Sequence, residues 1–259
     1  MLTREDVEAY AASLLPQHIE VVAMPVTQQL ADANDRDMLA RALQSGPFAA
    51  VVVASRHAAI FLATALTKAR RSSSDDLAAL ERSLGEVWAV GPATKQSLDL
   101  EGLASHYPDD VHDGAELARA MIAARDLRGQ RVLVPHAEQG RTEAIEILRA
   151  AGAEVVDVIA YRTHTVAADH PTISAGSELL TSYGAAVCAV FAPSQVAALA
   201  AIVGPLAEVP TQFCAIGETT GAALRAAGVS EPSVAPTPTP DGLVAAVRAL
   251  LPGLHLPPA

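Results

Sequence analysis

Short apolar runs alternate with amphipathic runs along most of this chain, and small turns separate them. Phe48 to Ala54 is continuously apolar and reads as a buried strand, Ser55-Arg56-His57 as a turn, and Ala58 to Leu66 as a helix. Glu86 to Val90 is a strand, Gly91-Pro92-Ala93-Thr94 a turn, and a helix follows to Leu100. Asp113-Gly114 opens a helix to about Ala124. Gln130 to Pro135 is a strand, and Gly140-Arg141-Thr142 opens a helix that stops at Gly152. Val155 to Thr163 is rich in Val and Ile and reads as a strand carrying Tyr161. Beyond it the pattern recurs. Ala185 to Phe191 is a strand, Ala192 to Gln195 a turn and Val196 to Ile202 a helix. Gln212 to Ile216 is a strand, Gly217 to Thr220 a turn and Gly221 to Ala226 a helix. Asp241-Gly242 then opens the last helix, Leu243 to Leu251.

The N-terminal part is patterned more weakly. Met1 to Arg4 reads as the end of a short first strand, and Glu5 to Leu15 as a helix broken at Pro16. Glu20 to Val26 reads as a strand, with Pro25 keeping it at a sheet edge or outside a sheet interior. Gln28 to Arg36 is a polar linker, and Asp37 to Leu43 a short helix. Arg70 to Asp76 is a charged, Ser-rich exposed loop, and the tail after Pro252 is loose.

The chain also repeats itself. Ala49 to Leu66 matches Ala185 to Ile202, and Val87 to Thr94 matches Gln212 to Thr220. Asp113-Gly114 matches Asp241-Gly242, and Glu20-Val21-Val22 matches Glu154-Val155-Val156, each of these two after a helix. The order of the copies predicts two similar α/β lobes, one built from the middle of the chain and one from both ends. We expect parallel-sheet lobes of flavodoxin or Rossmann type, with residues 1–27 plus 166–259 as the split lobe and 32–158 as the inserted lobe. Two extended crossings, about 24–32 and 158–167, would join them as a two-stranded linker. Tyr161 would then face a cleft.

Composition narrows the function. In 259 residues, 51% hydrophobic and 3% aromatic, the core must be built from Ala, Val, Leu and Ile. A formal net charge of -11 argues against a nucleic-acid binder, which needs a basic face. Cys188 and Cys214 read as free buried thiols, too few for a disulfide framework or a zinc site. The N-terminus lacks an apolar signal core, and Ala185 to Leu206, though apolar, is interrupted by Pro193-Ser194-Gln195. The expectation is a soluble, cytoplasmic monomer. No dinucleotide, P-loop, nucleophile-elbow or zinc-protease motif is present, and the eight His do not cluster as metal ligands.

In open parallel sheets ligands bind beyond the carboxyl ends of strands. The candidates there are Ser55, Gly91 and Thr94, and Arg141 in the inserted lobe, with Arg4, Ser194, Gly217 and Thr220 in the split lobe. Their turns are small or hydroxylated and precede helices, so they offer backbone N–H groups and a positive dipole end to an anion. The competing reading needs no ligand: the same Ser and Thr would be helix caps, Tyr161 a half-buried strand residue, and Arg4, Arg56, Arg141 and Arg162 solvated charges.

Taken together, Val90-Gly91-Pro92-Ala93-Thr94, Ile216-Gly217-Glu218-Thr219-Thr220, Pro193-Ser194-Gln195-Val196, Gly140-Arg141 with Leu148 to Val155, Tyr161-Arg162-Thr163 and Pro238 to Leu243 resemble the uroporphyrinogen-III synthase family in order and spacing. The resemblance covers nearly the whole chain. It implies two lobes whose cleft binds a linear tetrapyrrole, hydroxymethylbilane. This is dehydrated and cyclised without a cofactor or metal, with inversion of the last pyrrole ring, in haem biosynthesis. It makes the enzyme a lyase, assigns Tyr161 to helping the hydroxyl leave, and assigns Ser55, Thr94, Ser194 and Thr220, with backbone amides, to substrate carboxylates. Arg4, Arg56 and Arg141 would make the cleft locally positive. The chain departs from the family pattern at Val190-Phe191-Ala192, where a Thr and a Ser are usual, at Val53-Ala54, at His57 in place of an Asn, and in a first strand clipped at Met1. The missing hydroxyls keep open a non-catalytic two-lobed sensor with the same fold. A sugar- or nucleotide-binding α/β protein is a third reading.

Overall fold

In the computed structural model, residues 4–14, 19–72, 82–182 and 185–251 are described. They form two compact units, one of residues 29–163 and one of residues 1–28 with 164–259.

The inserted unit is ordered α2 (Ala33–Gln44), β2 (Ala50–Val53), α3 (Arg56–Ser72), β3 (Glu86–Ala89), α4 (Gly91–Leu100), α5 (Gly114–Ala124), β4 (Arg131–Ala137), α6 (Glu143–Ala150) and β5 (Glu154–Thr165). Its sheet, which also takes in β1 (Thr27–Leu30), has the order β1-β5-β4-β2-β3, and β4 pairs in parallel with both β2 and β5. Strand alternation sorts the core into two faces. Val51 and Val53 of β2 pack with Leu39 and Leu43 of α2 and Leu62 and Leu66 of α3. Ala50 and Val52 point the other way, to Leu117 and Met121 of α5 and Ile145 and Leu148 of α6. Helices therefore cover both faces, which is why β2 reads as an unbroken apolar run.

The second unit is ordered α1 (Arg4–Leu14), then α7 (Pro171–Thr181), β6 (Val187–Val190), α8 (Pro193–Val203), a short 3-10 turn (Leu206–Glu208), β7 (Gln212–Ala215), α9 (Glu218–Ala226), β8 (Ser233–Val234) and α10 (Pro240–Leu250). Its parallel sheet has the order β6-β7-β8. Phe213 and Ala215 face Ile173, Val196 and Leu224. Cys214 faces Leu14, Leu243 and Val247. Ala185 to Leu206 is a strand, a turn and a helix, and no described helix is long and apolar enough to cross a membrane. Both cysteines are free, and burial pushes the thiols up, to about 12 for Cys188 and about 11 for Cys214.

Several sequence expectations are corrected. Glu20 to Val26 is not a strand: β1 begins only at Thr27, past Pro25, which has no N–H for a ladder. Gln28 to Arg36 is not a linker, since it holds β1 and the start of α2. The Asp32 carboxylate accepts from the Asp35 N–H at 2.7 Å and Asp35 from the Asp32 N–H at 3.3 Å, a reciprocal box that starts the helix early. Arg4 opens α1 rather than ending a strand, and Met1 to Thr3 lie outside the described residues. Helix α3 runs on to Ser72, so residues 70–72 are helix rather than loop, and the rest of the expected loop, 73–76, lies outside the described residues, as does the tail after Pro252. The sequence reading did not foresee α7 or the two-residue β8.

Candidate active site

Tyr161 sits near the carboxyl end of β5. A strict two-residue period would put it on the face opposite Val158 and Ala160. The ladder breaks that period: His136 lies opposite Ile159, but Ala137 lies opposite Tyr161. This bulge turns Tyr161 onto the same face as Val158 and Ala160, against α3. The ring is 7% exposed. It stacks on Phe61 at 5.3 Å between centroids, interplanar angle 12°, with His57 tilted against it at 5.7 Å.

The phenol oxygen lies 3.1 Å from Ser55 Oγ. Ser55 follows β2, and its Oγ accepts the Ala58 N–H at 3.1 Å, capping α3. Ser55 is thus a helix cap and the partner of Tyr161 at once. With one lone pair held by the helix, the Ser55 proton is free to point at Tyr161. Burial raises the tyrosine pKa, against a smaller lowering by Ser55, so the phenol is protonated at neutral pH. His57 is pushed down to about 4, by burial above all and by nearby positive charge, of which Arg56 is the smaller part, so its imidazole is neutral at pH 7. Phe61 was not singled out from sequence. It lies six residues after Ser55 on an apolar helix face, where nothing in the pattern marks it as more than core.

The hydroxyl turns divide differently. Thr94 and Thr220 occupy matching places near the starts of α4 and α9 and are 4% and 3% exposed. Neither is a cap: the capping positions are Val90 and Gly217, and neither makes a side-chain cap bond. The first N–H groups of both helices are therefore left without a side-chain cap. Gly91 takes φ +75, and nothing lies within 4 Å of where a Cβ would stand. Gly217 has extended backbone and equally open space. Ser194 is exposed in the first turn of α8, and the neighbouring Gln195 Oε1 accepts the Phe191 N–H at 2.9 Å.

The arginines also separate. Arg141 is 79% exposed, with its guanidinium 3.8 Å from Asp113. The Arg4 side chain lies outside the described residues. Arg162, next to Tyr161, is not a solvated surface charge. Its Nε and Nη2 donate to the two Asp35 oxygens at 2.9 and 3.0 Å, its Nη1 to Glu138, and Asp32 lies 3.6 Å away. Asp35 is 1% exposed, and the Arg162 hydrogen bonds lower its pKa despite burial. A two-pronged guanidinium–carboxylate pair thus fastens β5 to α2 one residue beyond the phenol. The Asp32-x-x-Asp35 box was the available sequence signal. Among the described residues, no three His, Cys, Asp or Glu side chains come together as a metal site.

Ser55, His57, Phe61 and Tyr161 come together in the inserted unit, with Gly91 and Thr94 at the end of the neighbouring strand β3. The profile of the Uroporphyrinogen-III synthase HemD family matches residues 8–245. No curated protein matches significantly. Among solved structures, a mutant uroporphyrinogen III synthase from the extremely thermophilic bacterium Thermus thermophilus is 20% identical, covering 96% of each chain with a TM-score of 0.58. The uroporphyrinogen-III synthetase of Helicobacter pylori 26695 is 17% identical, covering 90% of this chain and 97% of its own, with a TM-score of 0.59. At these identities the likeness to solved structures is one of fold.

Proposed function

Because the chain belongs to the uroporphyrinogen-III synthase family, we propose that it closes hydroxymethylbilane into uroporphyrinogen III, with Tyr161 donating a hydrogen bond to the departing hydroxyl. It is then a dehydrating lyase of haem biosynthesis. The hydroxymethyl C–O bond breaks as the pyrrole nitrogen lends its electron pair, and the oxygen leaves as water. The already substituted α carbon of the last ring attacks the cation so formed, and its bond to the bridge from the preceding ring then breaks. That bridge re-forms on the ring's free α carbon with loss of the proton there, which inverts the ring and balances the proton taken up by the departing oxygen. The protein's part is a weak acid and a rigid fold of the substrate. Orientation is the larger contribution, up to about 7–11 kcal/mol for a well-placed intramolecular reaction.

The observation that carries this reading is the Ser55–Tyr161 pair at 3.1 Å. When Ser55 donates to the phenol oxygen, the Tyr161 proton is free for the leaving group, in a short line from the Ala58 N–H through Ser55 to Tyr161. The bulge and the Phe61 stack hold the ring still. Substrate carboxylates are assigned to the uncapped turns at Gly91 and Thr94 and at Gly217 and Thr220, to Ser194, and to Arg141 and Arg4. The test is to incubate the protein with freshly prepared hydroxymethylbilane and resolve the product isomers. Formation of the symmetrical, spontaneous isomer alone would remove this reading.

A further inference from the structure

Arg162 stands one residue past the phenol, yet each of its three side-chain nitrogens is already engaged within the inserted unit. Nε and Nη2 donate to the two Asp35 oxygens at 2.9 and 3.0 Å, and Nη1 donates to Glu138. With Asp32 3.6 Å away, three carboxylates surround one guanidinium. Its charge does not act on the phenol either: burial raises the Tyr161 pKa and Ser55 lowers it, with no contribution from Arg162. What Arg162 does for Tyr161 it does through position.

The ladder shows what needs positioning. His136 pairs Ile159 and Ala137 pairs Tyr161, so Ala160 is the extra residue of the bulge. A bulge leaves the ladder locally weak, and a one-residue slip there reverses every side chain beyond it. Past the bulge, Glu138 holds β5 twice: its N–H donates to the Tyr161 carbonyl at 3.0 Å, and its carboxylate accepts from Arg162. The other hold is Asp35, itself fixed in the first turn of α2 by the reciprocal box with Asp32. A slip would take Arg162 from Asp35 and Tyr161 from Ser55 together. An apolar pair of similar size would fasten β5 to α2 at least as firmly. The charged pair adds direction, because a planar guanidinium meets both oxygens of a carboxylate in a fixed orientation.

We propose that Asp35 and Arg162 are positioning residues of the reaction: their two-pronged contact fixes the register beyond the bulge and so holds the Tyr161 phenol beside Ser55. The effect on turnover rests on the role given above to Tyr161, whereas the effect on the ring does not.

The test is the double replacement of Asp35→Leu with Arg162→Met in the full chain, which leaves no stranded carboxylate. Turnover of hydroxymethylbilane, the urea midpoint and the Tyr161 ring signal are measured together. That signal is one of four from ¹³C-labelled tyrosines and is identified by its loss in Tyr161→Phe. The expected result is a midpoint close to the parent's, a displaced Tyr161 signal, and kcat lower by about tenfold or more with KM within about twofold. Adding Tyr161→Phe to the double variant should cost nothing beyond Tyr161→Phe alone, since the lost position matters only to the phenol. If the double variant does not fold, Arg162→Lys is read for the same signal and the same loss, because it keeps the charge beside Asp35 without the fork. An unmoved Tyr161 signal, whatever the midpoint, marks a merely structural pair and overturns the inference. So does a parent-like kcat, or a loss that persists in the Tyr161→Phe background, provided Tyr161→Phe itself slows turnover. If it does not, the catalytic reading of Tyr161 falls instead, and the ring signal alone decides whether the pair positions it.

Discussion

Replacing Tyr161 with Phe removes one oxygen and leaves the ring. The ring is 7% exposed and stacks on Phe61 at 5.3 Å, so the cavity change is minimal and the packing survives. The loss to stability is one neutral hydrogen bond to Ser55, about 1 kcal/mol, since the Ser55 oxygen keeps the Ala58 N–H. The loss to catalysis is larger if the phenol assists the departing hydroxyl: about 10²-fold in kcat, or about 2.7 kcal/mol. The two effects separate cleanly. Single-turnover conversion of hydroxymethylbilane should fall about 100-fold with KM within about twofold, while the urea midpoint moves only slightly. Ser55→Ala should lower kcat less, on the order of tenfold, and destabilise by about 2 kcal/mol, because it removes both the phenol's partner and the cap of α3. Turnover in Tyr161→Phe within threefold of the parent would refute the reasoning and leave Tyr161 a packing residue.

Arg162→Met strands the Asp35 carboxylate, 1% exposed, with only the Asp32 N–H, and should cost about 3–5 kcal/mol at pH 7 in urea unfolding. The sign of its pH dependence should also invert. In the parent, Asp35 has a lowered pKa and adds stability above about 3.8, lost as pH falls. In the variant, burial without Arg162 raises that pKa, so stability is lost as pH rises, and a cost below 1 kcal/mol would contradict the buried pair. His57 is held at about 4 against 6.5 unfolded, so the unfolded chain gains protons first as pH falls through 6.5 towards 4. Stability should therefore decline over that window by roughly 1–2 kcal/mol after solvent screening, and His57→Gln should flatten the decline in denaturant midpoints measured across it. Gly91→Ala meets no atom within 4 Å but must hold φ +75, so it should cost about 1–2 kcal/mol. If the α4 amides hold a carboxylate, it should also raise KM severalfold, whereas an unchanged KM would take Gly91 out of the binding turn.

Much of the fold was legible because apolar periodicity is a local signal. The runs at β2, β3, β4 and β7 and the helices ending at Leu100, Ala124 and Ala150 fell close to where the pattern put them. The weak places were those where local signals conflicted. Glu20 to Val26 has strand composition, but a strand requires a neighbour, and Val21 and Val22 stand exposed. The start of α2 was hidden in polar residues because an Asp–Asp box, rather than an apolar stripe, sets it.

The same division runs through the site. Turn chemistry and spacing along the chain nominate Ser55, Gly91, Thr94, Gly217 and Thr220 as candidates, because hydroxyls and glycines between a strand and a helix are local signals, and the family resemblance adds Tyr161. Which face Tyr161 takes was not local, since a one-residue slip of β5 against β4 reverses every side chain beyond it. Only the folded sheet placed the phenol on Phe61 and beside Ser55, 106 positions earlier, and closed Arg162 onto Asp35, 127 positions earlier. Those partners meet through strand register and helix packing, which depend on contacts between segments that no window of sequence contains.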